Sequence, residues 1–552
     1  MPKYIIYNIH IIGYINTKYI CLIMLMKGSK FMNEIDNMCI NNILTPKSYW
    51  LDSTYETNYP TLEKDIKVDI VIIGGGITGI TTALLLKEEG YKVALIEADK
   101  IVQGTTGHST AYITSQHEII YSNLIKTMGI GKAKQYADAN EGAIDFIEDM
   151  VKKYNIDCDF CRLPAYIYAT DEKYIDNIIE EAASAKSLGI NAKYIKNLDL
   201  PFKVKGALCF ENQAQFHPRK YLLKIAENIS GNGSQIYEHT RAVDIEHDKL
   251  YTVTTDTGFK VIAQKVVLAS HFPFYDGLGL YFSRLRPQRS YVISAIIKDK
   301  LPMGTFVDAG EAGWYFRLQN YKDSQMIIIG GQDHKTAHGG DMIKHYVNLV
   351  NYAKKNFDVE KFLYRWSTQD YITLDGVPYV GNLTSTSENI YVATGYGEWG
   401  MTNGTAAAGI LRDIIVKNES PYQEVYNPSR KIITDGIKNF VKENYDVAKQ
   451  LIKGKLQVGQ YNFNLKNDEG KIVEIDAERY GAYRDENGEL HIVDITCTHL
   501  GCELKWNSAE KSWDCPCHGS RFTFEGDIIE GPAVLRLNHY KESDNTIDPN
   551  II

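Results

Sequence analysis

Ile70-Val71-Ile72-Ile73-Gly74-Gly75-Gly76-Ile77-Thr78-Gly79 is an apolar run that ends in glycines, and Ala83, Leu84, Leu85 and Leu86 follow it. The run reads as a buried strand, the glycines as a tight turn and the leucine-rich stretch as a helix. Lys92 to Glu97 adds a second strand at once, giving strand, helix, strand with a parallel pairing. That context raises the Gly-x-Gly-x-x-Gly spacing above coincidence. Gly74 permits the turn, Gly76 lets backbone amides approach a pyrophosphate, and Gly79 lets the helix lie close on the strand. Ile77 and Thr78 open the helix, whose N-terminus faces the phosphate charge. Glu97, 18 residues past Gly79, is placed to accept from ribose hydroxyls, and its charge repels a 2'-phosphate. A dinucleotide is expected; the fingerprint alone does not separate FAD from NAD.

Working outward, helices are expected near 133–154 and 174–188, and strands at 251–255, 265–269, 291–297 and 325–329, so strands and helices interleave. A second glycine turn at Gly395 runs into a small-residue helix, Thr405 to Leu411, able to pack on the first unit. After it the chain becomes polar, lysine-rich and punctuated by Pro421 and Pro428, which suits a linker. From Val458 short strands with turns at 468–470 and 485–488 predict a small antiparallel domain. The division is 1–63 as an N-terminal extension, 64–415 as the nucleotide-binding body with an interleaved substrate region, 416–457 as linker and 458–545 as the small domain.

The chain has 552 residues, a formal charge of -9 and nine cysteines. An acidic balance argues against a nucleic-acid partner, whose footprint is a basic face. Nine cysteines are too sparse for a disulfide-stapled secreted scaffold, so a reducing, cytoplasmic compartment is expected. Tyr4 to Met26 is apolar enough to challenge this as a membrane anchor, although Asn8, His10, Asn16 and Lys18 interrupt it. A start placed too early, with Met32 as the ordinary beginning, explains residues 1–31 more simply.

Four cysteines crowd into Cys497-Thr498-His499-Leu500-Gly501-Cys502 and Cys515-Pro516-Cys517-His518-Gly519-Ser520. Two Cys-plus-His pairs on two loops can hold a 2Fe-2S cluster asymmetrically, with thiolates on one iron and imidazoles on the other. Neutral imidazoles bring less negative charge than thiolates and make reduction easier, with potentials of about -150 to +300 mV. Zinc is the competing occupant, but these spacings differ from the zinc-finger pattern.

Two resemblances extend these readings. Residues 64–415 resemble the FAD-dependent amine and amino-acid oxidoreductases of the D-amino acid oxidase, glycine oxidase and sarcosine oxidase superfamily. The resemblance is carried by Gly104-Thr105-Thr106-Gly107-His108-Ser109-Thr110-Ala111, by 265–270, by Leu374-Asp375-Gly376-Val377-Pro378 and by Ala393-Thr394-Gly395-Tyr396-Gly397-Glu398-Trp399-Gly400-Met401-Thr402. It implies FAD, with Thr105, Thr106, Gly107 and His108 at the pyrophosphate and flavin, Val243 at the adenine, and Gly395, Gly397, Gly400, Met401 and Thr402 at the far edge of the ring. His271 stands where the family usually has glycine. His108 matches a histidine that some members bond to the flavin, though a noncovalent contact or a loop-holding role is the plainer reading. Tyr315 and Arg317 fall on a strand that the resemblance turns toward substrate, where the guanidinium could grip a carboxylate; a surface salt bridge is the alternative.

Residues 458–537 resemble the respiratory Rieske proteins, including a Gly531-Pro532-Ala533 loop that shields the cluster in that family. The resemblance implies that Cys497, His499, Cys515 and His518 are ligands and that Cys502 and Cys517 form a disulfide, with paired thiols as the alternative, a disulfide being unusual in the cytoplasm. Ser520 matches a hydroxyl donor to the cluster, while Phe522 replaces the tyrosine of high-potential members, which predicts a lower potential.

The fold expected is an α/β Rossmann-like FAD-binding domain with an interleaved α+β substrate domain and a small all-β Rieske domain. The function expected is hydride abstraction from a carbon next to nitrogen in an amine or amino acid, with electrons passed through the cluster to an external acceptor. A relay without an organic substrate is the rival, and no second, NADH-binding glycine fingerprint supports it. Cys158 and Cys161 have redox-like spacing but no strand-turn-helix context. Trp314, Tyr396 and Trp399 could wall a pocket or simply fill the core.

Overall fold

The computed structural model describes residues 40–311, 313–431, 443–450, 464–475 and 477–540. Tyr4 to Met26 lies outside them, and no helix among the described residues is long and apolar enough to cross a membrane.

The strand-turn-helix unit forms as its sequence predicts. Ile66–Ile73 is a strand, Ile77–Glu88 a helix capped by Gly76, and Val93–Ile96 the next strand, paired parallel to the first with Ile73 opposite Ile96. Gly74 adopts a φ of +114°, and a Cβ on Gly79 would collide with the Gly74 carbonyl. The helix therefore sits as close to its strand as backbone allows. Tyr379–Asn382, Ile390–Thr394, Lys260–Leu268, Ile66–Ile73, Val93–Ile96 and Gln235–Tyr237 lie side by side in that order. Ile70, Val71 and Ile72 are fully buried, as a strand covered on both faces requires.

Gly400–Lys417 forms a further long helix, which packs on Ile77–Glu88. Gly404 makes the close approach, since a Cβ there would lie 2.8 Å from the Thr78 hydroxyl.

The second sheet runs Thr45–Pro46, Val359–Thr373, Leu285–Ile297, Ser324–Lys335, Tyr315–Tyr321, Thr305–Asp308, Cys161–Ala169, Gly206–Gln215 and Tyr112–Ile113. Its strands come from segments scattered between those of the first sheet, which is the interleaving expected. From Ile40 onward the residues set apart as an extension are built into this body. Thr45 pairs with Tyr364, Trp50 is fully buried, and its Nε1 donates to the Ser109 carbonyl at 2.7 Å. The Ser48 hydroxyl donates to the Gly107 carbonyl at 2.6 Å, so this segment braces the 104–111 loop. The start of the linker is also held down: Arg430 pairs with Asp375 at 2.6 Å, both nearly buried.

The C-terminal part contains two small antiparallel sheets, Glu469–Ile475, Glu478–Arg484 and Leu490–Asp494, then Lys505–Asn507, Ser512–Asp514, Arg521–Thr523 and Ile528–Glu530. Trp513 and Phe522 fill its core.

Candidate functional site

A cavity of about 1420 Å³ opens at the carboxyl ends of the parallel strands and runs to the second sheet, the place where open α/β sheets take their ligands. Gly74, Gly76, Ile77 and Thr78 form one wall, with Glu97, Thr105, Thr106 and His108 beside them. The Ile77 amide donates to the Thr106 hydroxyl at 3.2 Å, which places that threonine at the helix N-terminus. Glu97 accepts from the Gly75 amide at 2.6 Å and the Asp99 amide at 3.0 Å. Burial nevertheless pushes its carboxyl above the ordinary range. His108 uses Nδ1 on the carbonyls of Gln103 and Gly104, at 2.8 and 3.0 Å, and so holds its own loop. Gly107 is spent on Ser48.

The remaining expected contacts divide. At the 393–402 turn the cavity wall is Tyr396, Glu398, Trp399, Gly400 and Met401. Gly395 and Gly397 shape the turn with φ of +79° and +58°. Thr402 is buried behind it, donating to the Thr114 carbonyl at 2.8 Å. Thr240, Arg241 and Ala242 line the cavity, and the wall stops one residue short of Val243. His271 does line it, at φ +66°, its ring nitrogens 3.1 Å from Thr105 Oγ1 and 3.1 Å from Asp370 Oδ1.

On the side of the second sheet the wall carries Tyr112, Tyr315 and Trp399 with Glu118, Asp333 and Glu398. Tyr315 thus lines the cavity. Arg317 does not. It is fully buried, donates to the Phe216 carbonyl and Gln319 Oε1 at 3.2 and 2.8 Å, and stacks 5.2 Å from the Trp50 ring. Two residues along a strand is about 6.6 Å, which carries Arg317 past the edge of the cavity. The three carboxylates were not legible beforehand, because no motif joins positions so far apart. Burial first, and then Glu118, push the Asp333 carboxyl up to about 7. Burial, Asp333 and Glu118 push Glu398 well above its ordinary range as well, although Gln288 donates to it at 2.7 Å.

The second site lies in the small domain. Cys497, Cys515 and His518 are nearly or fully buried, and the rings of His499 and His518 stand 5.0 Å apart and perpendicular. The Nδ1 atoms of both histidines are buried without a hydrogen-bond partner. A buried polar atom left unmatched is costly, and a metal supplies what both lack. The donor set therefore fits a 2Fe-2S cluster held by Cys497, Cys515, His499 and His518. Cys502 and Cys517 are joined in a disulfide and hence unavailable as thiolates. Gly531 packs on Ser520, where a Cβ would lie 2.6 Å from Cα, and the Ser520 hydroxyl accepts from the Ala533 amide at 3.2 Å. The 531–533 loop thus lies against the second ligand loop. Phe522, fully buried, offers no hydroxyl.

The two sites share a seam. Arg289, from the second sheet, pairs with Glu510 at 2.7 Å and Glu530 at 2.9 Å. Arg521 pairs with Asp514 at 3.0 Å, Glu530 at 2.7 Å and Glu510. Burial alone would raise the Glu510 carboxyl, but the two guanidinium groups outweigh it and hold it well below the usual range. Phe272, on the wall of the large cavity, sits 6.2 Å from the His499 ring, and Phe282 sits 5.8 Å from His518.

Fold and sites together define a dinucleotide-dependent redox protein carrying an iron-sulfur module. A family model described as FAD dependent oxidoreductase matches residues 69–414 and one described as Rieske [2Fe-2S] domain matches residues 457–541; the chain belongs to the FAD-dependent oxidoreductases and carries a C-terminal Rieske domain. It is 42% identical over 493 residues to the Rieske 2Fe-2S iron-sulfur protein YhfW of Bacillus subtilis (strain 168), covering 89% of this chain and 97% of that one. It is 24% identical to the gamma-glutamylputrescine oxidoreductase of Escherichia coli (strain K12), over 65% of this chain and 85% of that one. Glycine oxidase from Geobacillus kaustophilus shares the fold with a TM-score of 0.57 at 18% identity, over 66% of this chain and 99% of that one. The cofactors are accordingly FAD and a 2Fe-2S cluster.

Proposed function

We propose that this oxidoreductase removes a hydride from the carbon next to nitrogen in an uncharged amine or amino-acid amino group, leaving an iminium ion that water hydrolyses, and passes the two electrons one at a time through the cluster to an external one-electron acceptor. FAD supplies the hydride acceptor when bound, and the cluster a one-electron carrier. Gly74, Gly76 and the helix opening at Ile77 bind the pyrophosphate, Glu97 takes the ribose hydroxyls, and the 104–108 loop closes over them. Tyr112, Tyr315 and Trp399 wall the substrate side and exclude water. Glu118, Asp333 and Glu398 favour a cationic amine there, in keeping with a relative named for gamma-glutamylputrescine.

The observation that carries the reading is Phe272, which lines the flavin cavity while its ring stands edge-on to that of His499, 6.2 Å between centroids. Anaerobic mixing with a panel of amines and amino acids tests it. The flavin absorbance bleaches first and the cluster signal follows. Bleaching by NADH alone, with no response to any amine, would replace this reading with the relay.

A further inference from the structure

The large cavity is not closed by the flavin-binding body alone. Ile528, Ile529, Gly531 and Val534 of the Rieske domain line the same cavity as the glycine fingerprint. From this we propose that the docked Rieske domain is a wall of the FAD site and helps retain the flavin.

Three independent contacts tie that wall to the nucleotide site. Arg241, between the cavity-lining Thr240 and Ala242, reaches the Ile528 carbonyl with Nη2 at 3.4 Å. The Thr105 hydroxyl, on the loop over the fingerprint, donates to the Gln369 carbonyl at 2.9 Å. Gln369 Nε2 in turn donates to the Gly519 carbonyl at 2.8 Å. Glu530 ends the strand that lines the cavity, and Arg289 of the second sheet holds it at 2.9 Å.

The buried ion network sets how firmly the wall stands. Arg289 is 2% exposed and faces Glu510 and Glu530 across the seam. Removing Arg289 takes away the guanidinium that reaches Glu510 and Glu530 from the flavin-binding side and leaves them to Arg521 alone, which weakens docking. Any ligand that touches both sides of a seam must favour its closed form, and the closed form must favour the ligand by the same factor. FAD retention and docking are therefore linked, and a change on the protein side of the seam registers as faster flavin release without touching the fingerprint.

The test uses the full-length protein loaded with FAD and cluster, and it reads flavin release by recovery of free-flavin fluorescence after dilution. Arg289→Met opens the seam from the flavin-binding side while leaving Arg521 to pair with Glu510 and Glu530. Hydrogen exchange over 528–534 reports undocking, and the visible spectrum reports an intact cluster. Flavin release is expected to be about tenfold faster, within the usual range of coupling between sites. Ile529→Glu, a second variant, leaves the ion network in place and puts a carboxylate on the Rieske-domain wall of the cavity that takes the anionic dinucleotide; it too speeds release. Unchanged release in Arg289→Met despite lost exchange protection overturns the proposal. Where Arg289→Met stays docked or fails to fold, Ile529→Glu decides alone, and unchanged release there overturns it equally.

Discussion

Gln369 donates from Nε2 to the carbonyl of Gly519 at 2.8 Å, a buried hydrogen bond from the strand Val359–Thr373 to the loop that carries His518. Gly519 adopts a φ of +76°, and a Cβ there would lie 2.6 Å from Pro287 Cβ and 3.0 Å from Gln369 Nε2. Gly519→Ala must therefore pay both for the left-handed backbone, about 1–2 kcal/mol, and for spreading the seam. Amides of 515–521 and 528–534 should exchange at least several-fold faster, and unaltered exchange would show that the seam has slack.

Phe522 is fully buried in the core that holds the ligand loops. Phe522→Tyr adds a donor where the respiratory Rieske proteins carry one, which stabilises the more negative, reduced cluster. A hydrogen bond to a charged acceptor contributes about 1.5 kcal/mol, roughly 60 mV for a one-electron couple. The midpoint should rise by that order in an EPR-monitored redox titration; a midpoint that stays or falls rejects the role given to this position.

Asp333 should make amine binding at the proposed substrate side of the cavity sensitive to pH near neutrality. Its carboxyl is raised to about 7 by burial and by Glu118, so it is neutral below that pH and ionised above it. A primary ammonium such as that of lysine keeps its charge to about pH 10. KM for a cationic amine should thus fall as pH rises through 7, by about tenfold for one pKa unit of differential interaction. Asp333→Asn should flatten that profile at the higher KM. A profile identical in the variant assigns the dependence to another group.

The disulfide between Cys502 and Cys517 closes a loop across a sequence separation of 15, a span whose closure contributes about 3 kcal/mol in the chain-entropy model. It joins the two loops that bear the ligands. Cys502→Ser should lose iron to a chelator markedly faster than the parent, followed by the decay of the visible cluster bands. Equal iron retention would mean that the surrounding packing of Trp513 and Phe522 holds the loops without the clasp.

The parts of this molecule legible in the sequence are those whose geometry is local. Strand, turn and helix around Gly74 are contiguous, and the pairs Cys497 with His499 and Cys515 with His518 are each set by a few residues of one loop. Tyr315 and Arg317 shared an expectation because the family resemblance turns their strand toward substrate; strand side chains two apart share a face, but a face is not a depth, and the cavity ends between them. Glu118, Asp333 and Glu398 come from three elements that meet only in the tertiary fold. The seam was invisible for the same reason. Arg289 and Glu510 are 221 residues apart, and nothing in either neighbourhood marks it as a partner of the other. Trp50 belongs to a segment that looked separable because it precedes the fingerprint, yet it is as buried as any residue of the core.

The ion pairs around Arg289 have one more implication. A domain pinned at a buried junction cannot swing, so it cannot ferry charge by travelling between a donor and a distant recipient. Under the proposed electron flow, the recipient has to come to it. Turnover at limiting acceptor should then follow a simple collision law, first order in that partner, and chemically cross-linking the junction should leave the rate where it was.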